Sequence, residues 1–397
     1  MDENGRELKE KDPLRSEILA DDASGDHEKR LSRYSVAMAR KQEVVDHILV
    51  LKEQGYKFNL DKELKALQDC GSFLIYRHYY LIDRFRLLAG CTCKKHLLCP
   101  LCAIRRAAKC VAVGFQKIED VLQRGYETGV EYDQVLITLT IKNGDDLEER
   151  FLHLTNSFKM LLQKRRNALK KRPKTDTVFK HVLGSIYSYE VTYSEEKGYH
   201  PHVHMIALIP RGTFEFQERF DKKAKKAVQV PVDLWAGLVE DWKSITGDSF
   251  IVDVRRIDNE NDQLSALVEC FKYALKFSDM EVADQVECYT VLKGRRMLDS
   301  MGALRGIKFP DNLHDDLIPG EEKYVDIVYR YAGVTFGYQE ISRGGASLPE
   351  DFVSKVQKGI VFKETSRKAP DGSLWLVERL PNGKRRLVQK NLPEAPF

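Results

Sequence analysis

The segment Tyr199–Pro210 reads Tyr-His-Pro-His-Val-His-Met-Ile-Ala-Leu-Ile-Pro, and it narrows the local fold more than any other stretch. Successive side chains of a β-strand point to opposite faces. A strand here lines His200, His202 and His204 along one face and turns Val203, Met205 and Ala207 to the other. Neutral imidazole is a common metal ligand, so such a strand is a platform for a metal ion. The plainer reading is a solvated strand with chance histidines. With ten histidines in 397 residues, three at period two argue against it.

The length predicts two or three domains, and 43% apolar with 10% aromatic residues supports globular folding. A net charge of +4 permits a nucleic-acid partner without demanding one. Two local basic stretches are more suggestive: Lys164, Arg165, Arg166, Lys170, Lys171, Arg172 and Lys174, then Lys222, Lys223, Lys225 and Lys226. Each reads equally well as a solvated loop. No apolar run is long enough to span a bilayer, and Met1–Glu17 is charged rather than signal-like. The expectation is a soluble, cytoplasmic bacterial protein with no membrane partner.

Four of the eight cysteines cluster as Cys91-Thr-Cys93-x5-Cys99-Pro-Leu-Cys102. In a reducing compartment such a cluster more often binds metal than forms disulfides. Cys91, Cys93, Cys99 and Cys102 are the candidate ligands of a structural Zn²⁺, with His96 as a possible substitute. Free thiols are the alternative. Arg105, Arg106 and Lys109 follow directly, where a DNA backbone could lie.

Residues 1–30 have the composition of a disordered tail. From Tyr34 to Leu88 the pattern is helical, so 31–125 reads as a helical region carrying the cysteine knuckle at 91–102. Gln134–Ile141 alternates as a strand, and Asp145–Leu169 is an amphipathic helix opened by Asn143-Gly144-Asp145. Ser185–Tyr193 and His200–Ile209 form a hairpin turning at Glu195–Gly198. Val232–Ile245 is a helix, Phe250–Ile257 a strand and Asp262–Phe277 a helix. Residues 130–310 therefore form an α+β domain with a central antiparallel sheet flanked by helices. Residues 311–397 read as a small β-rich region, with strand character at Tyr324–Gln339 and a hairpin over Leu374–Gln389 turning at Pro381-Asn382-Gly383.

The helix at Asp262–Phe277 carries a second constellation. Leu264, Leu267, Val268, Phe271 and Leu275 make a core-facing stripe. Glu269, Tyr273 and Lys276 share the opposite side, within roughly 60° at about 100° per residue. Alone, this is a surface helix with an exposed tyrosine. Beside a histidine metal strand it suits attack of a phenolate on a DNA phosphodiester. A divalent ion polarises the phosphate, Tyr273 is the covalent nucleophile, and Lys276 favours the phenolate or steadies the phosphate.

Three motifs then appear in the order seen in replication initiator (Rep) proteins of rolling-circle plasmids, the single-tyrosine branch of the HUH endonucleases. Leu136-Ile-Thr-Leu-Thr140 is similar to that family's first motif. His200-Pro-His-Val-His204 resembles the second, and Glu269-x3-Tyr273-x2-Lys276-Phe277 resembles the third. Arg295 and Gly302, after Leu292-Lys-Gly, are similar to its downstream stretch, and the cysteine knuckle with following arginines also occurs there. The resemblance covers about Cys91 to Gly306 and leaves the roles of 1–80 and 311–397 open.

The resemblance implies an HUH nuclease fold and a metal-dependent nick at the double-strand origin. Tyr273 would be joined to the 5′-phosphate, and the 3′-hydroxyl would prime synthesis. It makes His202 and His204 a Mg²⁺ or Mn²⁺ pair. Glu190 on the hairpin partner is the candidate third ligand, with His200 as the alternative. Glu269 matches the carboxylate this branch uses in place of a second tyrosine, to activate water when the strand closes. Partners would be double- and single-stranded plasmid origin DNA, with host helicase and polymerase. Competing readings are an HUH transposase or relaxase-type strand transferase, a non-enzymatic zinc-knuckle DNA-binding regulator, and a hydrolase acting through water. Relaxases generally place the tyrosine ahead of the histidines, and paired-tyrosine transposases carry a second tyrosine where this chain has Glu269.

Overall fold

The computed structural model describes residues 27–173, 175–221, 226–271, 280–309, 311–319 and 323–344, with short strands at 366–368, 374–379 and 385–390. In chain order these form α1 (His27–Glu53), α2 (Asp61–Asp69), β1 (Phe73–Tyr79), β2 (Arg84–Gly90), α3 (Pro100–Glu127), β3 (Tyr132–Thr140) and α4 (Leu147–Leu169). A 3₁₀ turn (Val178–His181) leads to β4 (Gly184–Ser194), β5 (Gly198–Pro210), β6 (Phe216–Asp221), β7 (Lys226–Pro231), α5 (Val232–Thr246) and β8 (Val252–Ile257). Then come α6 (Glu260–Phe271), α7 (Val282–Leu292), β9 (Leu298–Gly302), β10 (Val325–Tyr331), β11 (Tyr338–Arg343), β12 (Ser366–Lys368), β13 (Leu374–Arg379) and β14 (Arg385–Lys390). The fold is α+β, with antiparallel sheets flanked by helices. The described residues divide into two compact units, one of 43–59 and 95–312, the other of 27–42, 60–94 and the residues from 313 onward.

The larger unit is built on a five-stranded sheet in the order β8-β3-β5-β4-β9, antiparallel throughout. The histidine strand β5 is its centre, which is why Val203 and Met205–Ile209 are all fully buried. On one face, Leu136, Ile186, Ile206 and Leu208 pack against Ala103, Ala107 and Val111 of α3 and Leu267 and Phe271 of α6. On the other face Phe151 and Phe158 of α4 meet Tyr187 and Tyr189 edge-on. The start of α4 is capped by Asp146, whose side chain accepts the Glu149 N–H at 2.9 Å, one residue later than the Asn-Gly-Asp signal predicts. Cap residues of this kind satisfy an otherwise orphaned first-turn donor.

Gly302 ends β9 at φ +59°, and a Cβ there would run into the Leu183 carbonyl oxygen. Glycine is therefore required, since only it accepts both the left-handed backbone and the close approach.

The smaller unit corrects a sequence expectation. Periodicity predicts helix through Leu88, yet 73–79 and 84–90 are strands. β1 sits between β2 and β10 in a sheet of order β11-β10-β1-β2. Phe73, Ile75, Ala89, Cys91 and Val328 form its core. The short apolar runs of this hairpin carry no decisive period, and the partner that makes them strands lies about 250 residues onward. Arg30 holds Asp315 through one nitrogen at 2.9 and 3.2 Å, both side chains being buried. Asp315 also accepts the Leu87 N–H at 2.6 Å. Helix α1 begins at His27, inside the stretch whose composition reads as a tail. Further along, β13 and β14 pair antiparallel as expected for 374–389. The turn at Pro381–Gly383 lies outside the described residues.

Candidate active site

His202 and His204 lie on β5, flanked by β3 and β4. Thr140 and Glu190 stand opposite His202, and Thr138 and Ser188 opposite His204. Alternation sends Thr138, Glu190 and the two histidines to the same face of the sheet. There the ligand atoms of Glu190, His202 and His204 all lie within 4.8 Å of one another. Relative exposures of 1%, 7% and 6% place the three groups in the interior. Glu190 Oε2 is 2.9 Å from His204 Nε2 and 3.4 Å from His202 Nε2. His200 is not part of this group.

The far sides of both rings are tied. His202 Nδ1 donates to the His200 carbonyl at 3.1 Å, and His204 Nδ1 lies 3.1 Å from the Thr138 hydroxyl. Such outer contacts set the tautomer and ring orientation of metal-binding histidines. With the protons on Nδ1, both Nε2 lone pairs face the carboxylate. His204 Nε2 is buried and makes no hydrogen bond of acceptable geometry. Two inward lone pairs and a carboxylate repel one another unless a cation lies between them. The donor set, two imidazoles and one carboxylate, fits a divalent metal. Burial pushes the Glu190 carboxyl up, but with His202 and His204 protonated, their charge and hydrogen bonds outweigh that and hold it well below the usual carboxylate range. It is therefore present as the anion a metal requires.

Glu269 approaches from α6, its Oε1 3.7 Å from His204 Nε2. The wheel puts it opposite the core stripe, yet its side chain is only 22% exposed. Helix α6 lies across the sheet, so the side bearing Glu269 faces the histidines rather than bulk water. Tyr273 and Lys276 lie outside the described residues, as do Lys174, Lys222, Lys223 and Lys225. The phenols of Tyr189 and Tyr199 are raised by burial first, with neighbouring charges adding to it. Burial likewise pushes the Cys110 thiol up to about 12, so none of these is a ready nucleophile.

The expected set of Cys91, Cys93, Cys99 and Cys102 is corrected at Cys91. Cys91 follows β2 on the core side of its sheet, packed with Phe73 and Val328. Its carbonyl accepts the Gly71 N–H at 2.7 Å. Cys70, at the end of α2, stands beside Cys93 instead, its sulfur accepting the Cys93 N–H at 3.3 Å. No spacing signal marks Cys70 in the sequence. The arginines after the knuckle also differ from expectation: Arg105 is buried and cannot meet a DNA backbone. Of the first basic stretch, Lys164 pairs with Asp241. Arg165 and Arg166 line a cavity with Arg296 and Arg305.

Among the described residues no helix is long and apolar enough to cross a membrane. A family profile described as "Replication protein" (Rep_1) matches residues 84–343, a span that holds the metal-type group, Glu269 and Gly302. The chain is similar to a protein named "Protein rep" from Bacillus amyloliquefaciens, 28% identical over 295 residues, covering 66% of this chain and 78% of that one. It is 26% identical over 277 residues to a "Protein rep" from Lactiplantibacillus plantarum, covering 66% and 81%. No solved structure matches. With most of its length matched by the profile, the chain belongs to the Rep replication protein family, the plasmid replication initiators.

Proposed function

We propose that this initiator starts rolling-circle replication by nicking one strand of its plasmid origin, with Tyr273 as the nucleophile. The observation that carries this reading is the buried group of Glu190, His202 and His204, whose imidazole Nδ1 atoms are tied back so that both Nε2 atoms converge on one carboxylate. These three residues would hold Mg²⁺ or Mn²⁺, which would polarise the scissile phosphate. The Tyr273 oxygen attacks phosphorus, the bond to the 3′ oxygen breaks, and a 5′-phosphotyrosyl link and a 3′-hydroxyl primer result. Lys276, three residues on in sequence, favours the phenolate electrostatically.

Glu269 has a separate role in this reading. Its carboxylate lies beside His204, four residues before Tyr273 in sequence. It takes a proton from the water that ends the reaction, so a round terminates instead of re-initiating on a second tyrosine. Cys70, Cys93, Cys99 and Cys102 would hold a structural Zn²⁺, a set typical of closed tetrahedral sites.

The test is a denaturing gel of protein incubated with labelled single-stranded origin DNA and Mn²⁺. Wild type should leave DNA covalently attached to protein. Tyr273→Phe should leave none while still binding the DNA. An adduct of normal yield in the phenylalanine variant removes Tyr273 from the mechanism. Absence of any adduct in wild type favours a DNA-binding protein without nicking activity.

A further inference from the structure

His200 shares the face of His202 and His204 yet stays outside the metal-type group. Its ring centroid is 5.3 Å from that of His202, and its carbonyl orients that histidine. It instead lines a neighbouring cavity of about 450 Å³, with Lys142, Lys197, Phe250 and Ile251 among the other walls. Phe250 and Ile251 are 61% and 62% exposed, an unusual placement for a large apolar pair. Their backbone is fixed from below. The Ile251 carbonyl accepts from both the Thr140 N–H at 3.2 Å and the Thr140 hydroxyl at 3.0 Å. The neighbouring Ser249 hydroxyl accepts the Lys142 N–H at 2.7 Å. The side chains are thus presented to solvent on a rigid support.

Charge completes the picture. Lys142 and Lys197 are exposed, and neither has an ion-pair partner among the described residues. The one carboxylate in the wall, Asp248, is already engaged by Arg150 at 3.1 Å and His153 at 3.2 Å. An exposed aromatic face beside unpaired ammonium groups is the chemistry of single-strand nucleic-acid binding, with bases on the ring and phosphates on the cations. A duplex keeps its base faces stacked inside and has none to offer. We propose that this cavity is the subsite for the nucleotide flanking the scissile phosphate in single-stranded origin DNA. Its base stacks on Phe250, and its phosphate is held by Lys142 and Lys197. The word scissile rests on the nicking reading above, whereas the strand-binding surface does not.

The experiment measures anisotropy of fluorescein-labelled oligo(dT), and of a dT·dA duplex of the same length, against the full chain without added Mg²⁺ or Mn²⁺. Removing one base–aromatic stack should weaken single-strand binding by at least about fivefold. Phe250→Ala should show that loss, Phe250→Trp should restore it, and duplex affinity should change by less than about twofold. Lys142→Ala with Lys197→Ala should flatten the salt dependence of oligo(dT) binding. Wild-type affinity of Phe250→Ala for oligo(dT), equal losses on single strand and duplex, or failure of tryptophan to rescue would each overturn the proposal. The readout needs no cleavage. A wild-type protein that forms no covalent adduct would therefore sink the nicking reading while leaving this result to stand or fall alone.

Discussion

Thr138→Val isolates the contribution of one hydroxyl to metal binding. Thr138 sits directly opposite His204 in the β3–β5 pairing, its Oγ1 3.1 Å from His204 Nδ1. Valine has nearly the same shape and suits a strand, so the fold should lose no more than one hydrogen bond, about 0.5–1.5 kcal/mol. The effect on the metal site should be larger. With the hydroxyl present, the Nδ1 proton has an acceptor and Nε2 keeps its lone pair. Without it, the proton is free to move to Nε2, where Glu190 Oε2 stands 2.9 Å away and accepts it. The cation must then displace that proton and reorient the ring. Losing an outer contact of this type typically costs 10–100-fold in metal affinity, about 1.4–2.8 kcal/mol. Calorimetric Mn²⁺ titration of wild type, Thr138→Val and Thr138→Ser provides the measurement, with thermal unfolding as the control. Serine, which keeps the hydroxyl, should bind close to wild type. Mn²⁺ affinity of the valine variant within about twofold of wild type, or a serine variant as weak as valine, would refute the tautomer argument.

Glu269→Ala should still form the tyrosyl adduct but accumulate multimeric single strands in place of unit-length circles; normal circles on an agarose gel would return Glu269 to a bystander role. Cys70→Ser should lower the zinc content measured by elemental analysis, whereas Cys91→Ala should keep it, since Cys91 lies in an apolar core; the opposite pattern would restore Cys91 as the ligand. Gly302→Ala should destabilise the larger unit by roughly 2–5 kcal/mol, combining about 1–2 kcal/mol for a left-handed backbone with about 1–3 kcal/mol for overpacking against the Leu183 carbonyl. A urea midpoint equal to wild type would contradict it.

Much of the site is written locally. Period two in Tyr199–Pro210 forces His202 and His204 onto one face. The short turn at Glu195–Lys197 sets the hairpin register that places Glu190 opposite His202. Helices α4 and α5 follow from their own apolar spacing and caps. These features depend on neighbours in the chain, so a sequence states them directly.

What only the tertiary structure decides depends on partners far apart. Thr138 meets His204 because β3 chooses β5, a pairing no local pattern specifies. Glu269 faces the metal-type group because α6 packs across the sheet, and the wheel alone cannot say which neighbour covers which side. Hairpin β1–β2 is a hairpin because Val325–Tyr331 completes its sheet. The same hairpin draws Cys91 into its apolar core, and the end of α2 brings Cys70 to Cys93. Side-chain period is set by backbone geometry within a few residues. Register, coverage and the choice among equivalent ligands are set by which distant surfaces bury one another.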